Sequence, residues 1–239
     1  MRKIFFTGTL FTVLYAVSMC NKPSDYYSAP FLNNAETAKP GRVDSLTILP
    51  GRNRALLRFI VSPDRRVTKV RISYSSSLSA DVKTSFVDIT DQDYGSRKEV
   101  AIDNLPEATL IANIVSFAKN GDSSTVAQVS GTIYGDRYRA SLYNRVYQNI
   151  TTVSGIKYMN FINESAKPQD STVFYPLQKT VVTYPKASGG TNTFEISAFT
   201  NSVPVPDIAA TGTITLYSLF KPVQSSIDIF ESGTLSVNF

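Results

Sequence analysis

The chain has 239 residues, of which 42% are hydrophobic, and it carries 24 Lys and Arg against 19 Asp and Glu. It contains no histidine and one cysteine. The lack of histidine excludes Ser-His-Asp and Cys-His nucleophile systems and histidine-ligated metals. Residues 1–19 hold two of the positive charges and no negative ones, so the remaining chain has a net charge of +3. That charge is too small to favour nucleic acid as a partner.

The N-terminus has the pattern of a secretory signal. Arg2 and Lys3 precede a mostly apolar run, Ile4–Met19, which is followed by Cys20. The run is shorter than the roughly 20 residues that a membrane-spanning helix needs. We therefore predict a signal peptide over residues 1–19. An exported lone cysteine has no disulfide partner, and the site resembles a lipobox, in which the cysteine is acylated and becomes the new N-terminus.

Met19 departs from the lipobox pattern, which usually has a small residue at that position. An ordinary cleaved signal followed by a chance cysteine is therefore the alternative. The preferred interpretation is a lipoprotein held to a membrane by lipid on Cys20. Residues 20–40 follow as a polar stretch interrupted by prolines, which predicts a flexible tether.

Residues 41–135 consist of short β-type runs separated by turn residues. The run Ala55–Val61 is nearly all apolar, as in a strand buried on both faces. In Val70–Tyr74, apolar and polar residues alternate, which indicates a half-buried strand. The other predicted strands are Val43–Leu49, Ser85–Ile89, Val100–Ile102, Leu110–Ala118 and Thr125–Tyr134. Seven short strands without a convincing helix predict a β-sandwich of immunoglobulin or fibronectin type III kind.

The second half, residues 136–239, repeats this pattern of short β-type runs and turns less regularly. The predicted strands are Ile156–Ile162, Val173–Tyr175, Thr180–Tyr184, Thr193–Ala198, Thr211–Phe220 and Leu235–Phe239. We therefore predict an all-β protein with two β-sandwiches in tandem. Their joint is expected near residues 135–146.

Nine short phrases stand out along the chain: Pro40–Val43, Pro50–Arg54, Val67–Val70, Leu105–Glu107, Gly131–Tyr138, Ser141–Arg145, Leu216–Tyr217, Lys221–Pro222 and Ile227–Phe230. Together they resemble a lipoprotein family known as domain of unknown function 4998. The resemblance covers about residues 40–232. Phe59 and Phe161 stand where the family leads us to expect tryptophan, and Ala108 where we expect glycine. The resemblance implies an outer-membrane location beside SusC/SusD-type glycan-uptake proteins, and it implies no activity.

An aromatic and basic stretch at the expected joint is the main candidate for a ligand site. Its predicted ligand-binding residues are Tyr134, Arg137, Tyr138, Tyr143 and Arg145. Tyrosine rings can stack on sugar rings, and arginine can donate to hydroxyls or carboxylates. The alternative is that these residues pack the two sandwiches against each other.

Two further clusters have a functional and a structural interpretation each. A basic set could attract lipid-linked phosphate or form a solvated strand face. Its members are Arg52, Arg54, Arg58, Arg65, Arg66, Lys69 and Arg71. Asp88, Asp91 and Asp93 have the spacing of calcium ligands, but the stretch lacks the glutamate and glycine of an EF-hand loop, so an acidic turn is the simpler interpretation.

These observations favour a non-catalytic cell-envelope lipoprotein without metal or cofactor. Glycosidases need only two carboxylates, but sandwiches of this size rarely form a deep cleft. The first function hypothesis is an accessory of surface glycan capture or uptake, with polysaccharide or SusC/SusD-type proteins as partners. The second is a structural or adhesion module that spaces or docks other surface proteins. The predicted location is the outer membrane, with the protein facing the cell surface and the periplasmic face as the alternative.

Overall fold

The structure is a computed structural model and describes residues 39–162 and 173–239. The predicted signal peptide, Cys20 and residues 21–38 of the tether lie outside the described residues. Within the described part, no helix has both the length and the apolar character needed to cross a membrane. Residues 40–239 form one compact unit.

The first sandwich contains seven strands in two antiparallel sheets. The strands are β1 (Asp44–Pro50), β2 (Ala55–Ile60), β3 (Val67–Ser76), β4 (Ser79–Asp88), β5 (Arg97–Ile102), β6 (Thr109–Ala118) and β7 (Ala127–Thr132). One sheet has the order β1-β2-β5, and the other has the order β4-β3-β6-β7. The predicted number of seven strands is therefore confirmed.

The core of this sandwich lies between the two sheets because alternate residues of each strand point inward. Leu57 and Phe59 from β2 are fully buried against Val70 and Ile72 from β3. The other residues of β2 are only half-buried, with Ala55 as the buried exception at its start. The prediction of a strand buried on both faces was therefore wrong, since the outer face of the three-stranded sheet remains partly open to solvent.

The second sandwich repeats the strand order of the first. Its elements are β8 (Tyr147–Val153), β9 (Ile156–Phe161), β10 (Leu177–Pro185), β11 (Thr191–Ser197), β12 (Ser202–Pro204), β13 (Thr213–Phe220), β14 (Phe230–Glu231) and β15 (Leu235–Asn238). One sheet has the order β12-β9-β8; in the other, β11-β10-β13 is continued by β14 and β15, which both pair with β13. Two tandem sandwiches of this order confirm the predicted all-β, immunoglobulin or fibronectin type III-like fold.

A second hydrophobic cluster fills the second sandwich. Met159 and Phe161 from β9 pack against Val182 of β10 and Leu216 of β13, all nearly or fully buried. The cluster of the first sandwich runs from Val43 to Ile133 and shares no residue with it. The boundary between the two sandwiches, predicted from the sequence at residues 135 and 136, stays a prediction.

Several elements differ from the predicted ones for identifiable reasons. A strand was predicted at Val173–Tyr175, but these residues form none. A run of three residues is too short for its pattern to distinguish a strand from a loop. The short β12 and the edge strand β8 were not predicted, because β8 is mostly polar and exposed and has no buried apolar face. One helical turn, α1 (Asp136–Ala140), connects the sandwiches where the sequence indicated only a joint.

Candidate functional site at the joint

The helical turn α1 is held by a carboxylate from the first sandwich. Glu107, in the loop between β5 and β6, accepts hydrogen bonds from the backbone N–H groups of Arg137 and Tyr138, each at 2.7 Å. A helix of any length leaves its first N–H groups without partners inside the helix, so an acceptor at this position is stabilising. The Arg137 guanidinium also donates to the backbone carbonyl of Glu107. This loop therefore fixes where the chain enters the second sandwich.

Three aromatic rings form the apolar centre of the joint. Tyr138 lies edge-to-face against Tyr134 and against Phe230, with ring centroids 5.0 Å apart in both pairs. Tyr134 also contacts Phe230 at 6.4 Å. Phe230, in β14, is 2% exposed, and burial raises the pKa of the Tyr138 hydroxyl above its usual value. Two of the predicted ligand residues thus pack together on a buried ring of the second sandwich.

An ion pair connects the two sandwiches beside this cluster. Asp228 accepts from Nε and Nη2 of Arg54, at 2.9 and 2.6 Å, and from the backbone N–H of Arg52 at 2.7 Å. The hydrogen bond from Arg54 is the main reason that the pKa of Asp228 lies below its usual value. The backbone N–H of Ile227 donates to the carbonyl of Pro50 at 2.8 Å. A charge-assisted fork of this kind adds geometric specificity to the contact.

Close approach of the two backbones requires Gly51. A Cβ atom at this position would lie 2.4 Å from Oδ2 of Asp228 and 2.8 Å from Cγ1 of Ile227. Both distances are shorter than side-chain contacts in folded proteins allow. The glycine therefore permits the loop after β1 to reach the second sandwich.

The predicted ligand residue Arg145 is buried inside the second sandwich. Its side chain is 0% exposed. Nη1 donates to the carbonyl of Ser197 at 3.0 Å, Nη2 donates to Oδ1 of Asn201 at 2.7 Å, and the guanidinium lies 5.2 Å from the ring centre of Phe161. A ligand that approaches from solvent cannot reach this group, which instead ties together the loops around β11 and β9.

The remaining predicted residues differ in their access to solvent. A groove of about 510 Å³ is lined by Tyr134, Tyr138, Arg137, Glu107 and Leu78, among others. The Arg137 side chain is 74% exposed there. Tyr143 is 84% exposed but does not line this groove. The structure thus places three of the five predicted residues along one groove, with one buried and one apart from it.

The basic cluster of the first sandwich is paired with acidic groups and aromatic rings. Its ion pairs are Arg52–Asp136, Arg54–Asp228, Arg58–Glu99, Arg65–Asp91 and Arg66–Asp64, with N to O distances of 2.6–3.8 Å. Lys69 lies over the ring of Phe86, and Arg71 lies over the ring of Phe117. For Arg58, Lys69 and Arg71, which lie in strands, these contacts match the structural interpretation of a solvated strand face, whereas Arg52 and Arg54 belong to the joint.

The acidic segment after β4 is a turn with internal partners. Asp93 accepts from Nζ of Lys98 at 2.7 Å and from the N–H and hydroxyl of Thr90, both at 2.8 Å. These donors, Lys98 first, lower the pKa of Asp93 to about 2. Among the described residues there is no group of three or more possible metal ligands of the His, Cys, Asp and Glu types.

Glu107, Asp228 and Phe230 were not among the predicted site residues, yet they hold the joint together. A sequence signal for them existed, since all three lie in phrases that carry the family resemblance. The phrases 50–54, 105–107, 131–138 and 227–230 are far apart in sequence and meet at the joint through the contacts described above. Four of the nine phrases that carry the family resemblance therefore meet at the joint.

The fold and joint define a class of protein, a tandem β-sandwich with a closely packed connection between its two parts. The chain belongs to the family DUF4998, a domain of unknown function, whose model matches residues 20–230. The family membership predicted from the sequence is thereby confirmed. No curated protein matches the chain.

Two solved structures resemble the chain at low identity. One is a two fibronectin type III domain segment from chicken tenascin, with 10% identity and a TM-score of 0.33, which covers 83% of this chain and 99% of that chain. The other contains the FN1–FN3 domains of chicken CNTN1, with 10% identity and a TM-score of 0.39, and covers 84% of this chain and 64% of that chain. The fold class given above rests on the strand order of the sheets.

Proposed function

We propose that this protein is a non-catalytic lipoprotein of the cell envelope that spaces or docks other surface proteins through two sandwiches held in one fixed arrangement. The observation that supports this proposal most directly is the fork between Arg54 and Asp228, which spans 174 positions in the sequence. Domains in one chain move relative to each other unless their interface is extensive. Here a fork, a helix cap and a buried aromatic cluster all act at one joint.

The joint leaves few of its polar groups available for a ligand. The Asp228 carboxylate accepts three hydrogen bonds, and the Glu107 carboxylate accepts two from α1. Tyr134 and Tyr138 contact each other and Phe230. Groups that are satisfied by protein partners are suited to holding a fixed angle between the sandwiches.

Small-angle X-ray scattering tests this fixed arrangement. The chain without its signal peptide should give a scattering curve that one conformation of residues 40–239 fits. The double variant Arg54→Ala, Phe230→Ala should need an ensemble of inter-sandwich angles, provided that circular dichroism shows its sheets intact. Arg97→Ala, which changes a charge in β5 away from the joint, serves as the control. If the unmodified protein already needs an ensemble, the rigid-spacer proposal fails.

The lipid anchor is tested separately in cells. Metabolic labelling with a fatty acid should label the unmodified protein and leave the Cys20→Ser variant unlabelled, and the label should follow the outer-membrane fraction. Digestion of intact cells with a protease distinguishes the cell surface from the periplasmic face. Unlabelled protein that is nevertheless cleaved before position 20 would support the alternative of an ordinary signal peptide.

Glycan capture is the second candidate function, and the groove at the joint favours it. The groove combines the edges of Tyr134 and Tyr138 with an exposed guanidinium at Arg137. Aromatic surface beside a hydrogen-bond donor suits a sugar ring and its hydroxyls. The family resemblance, which implies SusC/SusD-type neighbours, supports the same function.

Affinity electrophoresis through gels that contain plant, host or microbial polysaccharides tests this candidate. Retardation by one polymer that is lost in Arg137→Ala and kept in Arg139→Ala would place the ligand in the groove. For Tyr138→Ala and Tyr143→Ala, lost binding at an unchanged melting temperature indicates a site, whereas lost stability indicates packing. Migration unaffected by every polymer removes this candidate, and release of reducing sugar by the purified protein would overturn the non-catalytic assignment.

A further inference from the structure

The outer edge of β4 is a long strand edge in the first sandwich. β4 (Ser79–Asp88) ends the sheet order β4-β3-β6-β7, and no strand within the described residues pairs with its other side. It has ten residues, all but Val87 exposed, and contains no proline. An edge of this kind presents unpaired N–H and C=O groups that can pair with another strand.

The pairing with β3 shows which backbone groups point outward. The register places Val70 opposite Val87 and Ile72 opposite Ser85, and beyond the strand end the N–H of Ile89 donates to the carbonyl of Thr68 at 2.9 Å. In an antiparallel ladder, hydrogen-bonded pairs alternate with non-hydrogen-bonded pairs. From Lys83 to Asp88, the odd-numbered residues of β4 therefore direct their backbone groups to β3, whereas the N–H of Asp81 donates to Oγ of Ser79 at 3.1 Å. The even-numbered residues, Val82 and Phe86 among them, direct theirs outward.

The large exposed apolar side chains lie on one face of this edge, and the charged pair Asp81 and Lys83 lies on the other. In β4, Val82 and Phe86 are exposed by 65% and 59%, and Leu78, in the turn just before the strand, is exposed by 67%. Asp81 and Lys83 lie on the opposite face, where they line a groove together with Tyr74. β4 has two more residues than β3 between the pairs Tyr74–Lys83 and Ser76–Ser79. The irregularity lies at Ala80–Val82, and on either side of it Ser79 and Lys83 both pair with β3, so the odd-numbered residues keep the same orientation across it.

We propose that β4 pairs antiparallel with β4 of a second copy of this chain, with the two-fold axis at Val82. This register places Val82 opposite Val82 of the second copy and Ala80 opposite Thr84, and it brings Leu78, in the turn before β4, toward Phe86. On the other face it places Asp81 opposite Lys83, twice by symmetry. The outward-directed backbone groups of the even-numbered residues then form the hydrogen-bonded pairs, as an antiparallel ladder requires. The two four-stranded sheets become one continuous sheet.

Charge complementarity selects this register and this partner. Moving the axis by one residue to Lys83 would place that lysine opposite its own copy, and moving it to Asp81 would do the same for the aspartate. Like charges directly opposite each other are destabilising, whereas opposite charges and apolar pairs stabilise a ladder. A lysine on an edge strand ordinarily discourages pairing. Here Asp81, two residues before Lys83 on the same face, supplies its counter-charge in a second copy.

Sedimentation analysis of the chain without its signal peptide, with Cys20→Ser, measures the association. A concentration-dependent dimer is expected. Asp81→Lys and Lys83→Asp should each weaken it about tenfold or more, because each turns two attractive pairs into repulsive ones. The double variant Asp81→Lys, Lys83→Asp should restore the dimer. A mixture of the two single variants should form heterodimers, because their charges are complementary to each other.

Disulfide trapping tests the register itself in the same cysteine-free background. Residues in a hydrogen-bonded antiparallel pair have Cα atoms about 5.5 Å apart, which suits a disulfide. Val82→Cys should therefore form a covalent dimer under mild oxidation. Thr84→Cys should not, because Thr84 lies opposite Ala80 and its own copy is roughly 13 Å away along the strand. Both variants should keep the melting temperature of the parent.

A chain that stays monomeric at every concentration overturns the proposal, and so does cross-linking at Thr84 equal to that at Val82. A dimer that is insensitive to the two charge reversals places the contact elsewhere and also overturns it. Binding of an unrelated extended peptide to β4 without self-association would assign the edge to another partner. None of these results depends on the function of the joint, since Asp81 and Lys83 lie outside it.

Discussion

Phe230→Ala is the substitution that best tests whether the joint is held by packing. Phe230 is 2% exposed and lies edge-to-face against Tyr138 at 5.0 Å and Tyr134 at 6.4 Å. Replacing a buried phenylalanine by alanine costs about 3–5 kcal/mol through lost transfer energy and the cavity that remains. Aromatic pairs add about 0.5–1.5 kcal/mol beyond burial. We therefore expect a loss of about 4 kcal/mol.

Urea unfolding followed by circular dichroism and tyrosine fluorescence measures this loss, and the absence of tryptophan keeps the fluorescence signal to tyrosine. The midpoint of the transition that includes the second sandwich should fall by roughly 1–2 M. Tyr143→Ala, at an 84% exposed position, is the matched control and should change stability by about 0.5 kcal/mol or less. Equal effects of the two substitutions would refute the packing of Phe230 against the two tyrosines.

Three further predictions concern the joint and the turn after β4. Glu107→Gln should lower the free energy of unfolding, measured in urea, by about 1–2 kcal/mol. The reason is that a neutral amide replaces the carboxylate that accepts from two backbone N–H groups of α1. A loss no larger than in Tyr143→Ala would argue against this helix cap. Gly51→Ala should be destabilising, because its Cβ would overlap Asp228, whereas Gly233→Ala, with no atom within 4 Å of the added Cβ, should be tolerated; thermal melting of both variants decides this. The pKa of Asp93 is lowered from 3.8 to about 2, so the stability it contributes is present above pH 3.8 and is lost as the pH falls toward 2. The urea midpoint of Asp93→Asn should therefore fall less over that pH window than that of the unmodified protein, and parallel curves would contradict the assigned hydrogen bonds.

At the joint, residue type predicted where a functional site or an interface lies, but not the role of each tyrosine and arginine in it. The stretch 134–145 is rich in tyrosine and arginine, which suits either a ligand site or an interface. Arg145 illustrates the limit, since an arginine is usually exposed, and its full burial depends on partners distant in sequence, among them the carbonyl of Ser197 and the side-chain oxygen of Asn201. The partners Glu107 and Asp228 are distant in sequence, so no local pattern connects them to α1 and Arg54.

Some strands could be predicted from the local sequence pattern, and others could not. Runs such as Leu110–Ala118 were recognisable because buried strands need apolar residues at regular spacing. The edge strand β8 and the first six residues of β4 were not, since β8 buries no residue and those residues of β4 are all exposed. An edge strand is stabilised by backbone hydrogen bonds to one neighbour, and those bonds leave little trace in the side-chain sequence.

The sequence by itself determined the family, the all-β class and the tandem arrangement, because apolar periodicity and turn residues act over short distances along the chain. Only the tertiary structure decided which tyrosines pack on Phe230, which arginine is buried and which edge of the first sandwich remains unpaired. Each of these features depends on contacts between residues far apart in sequence. Such contacts depend on how the sheets and loops come together in space, which local residue patterns do not record.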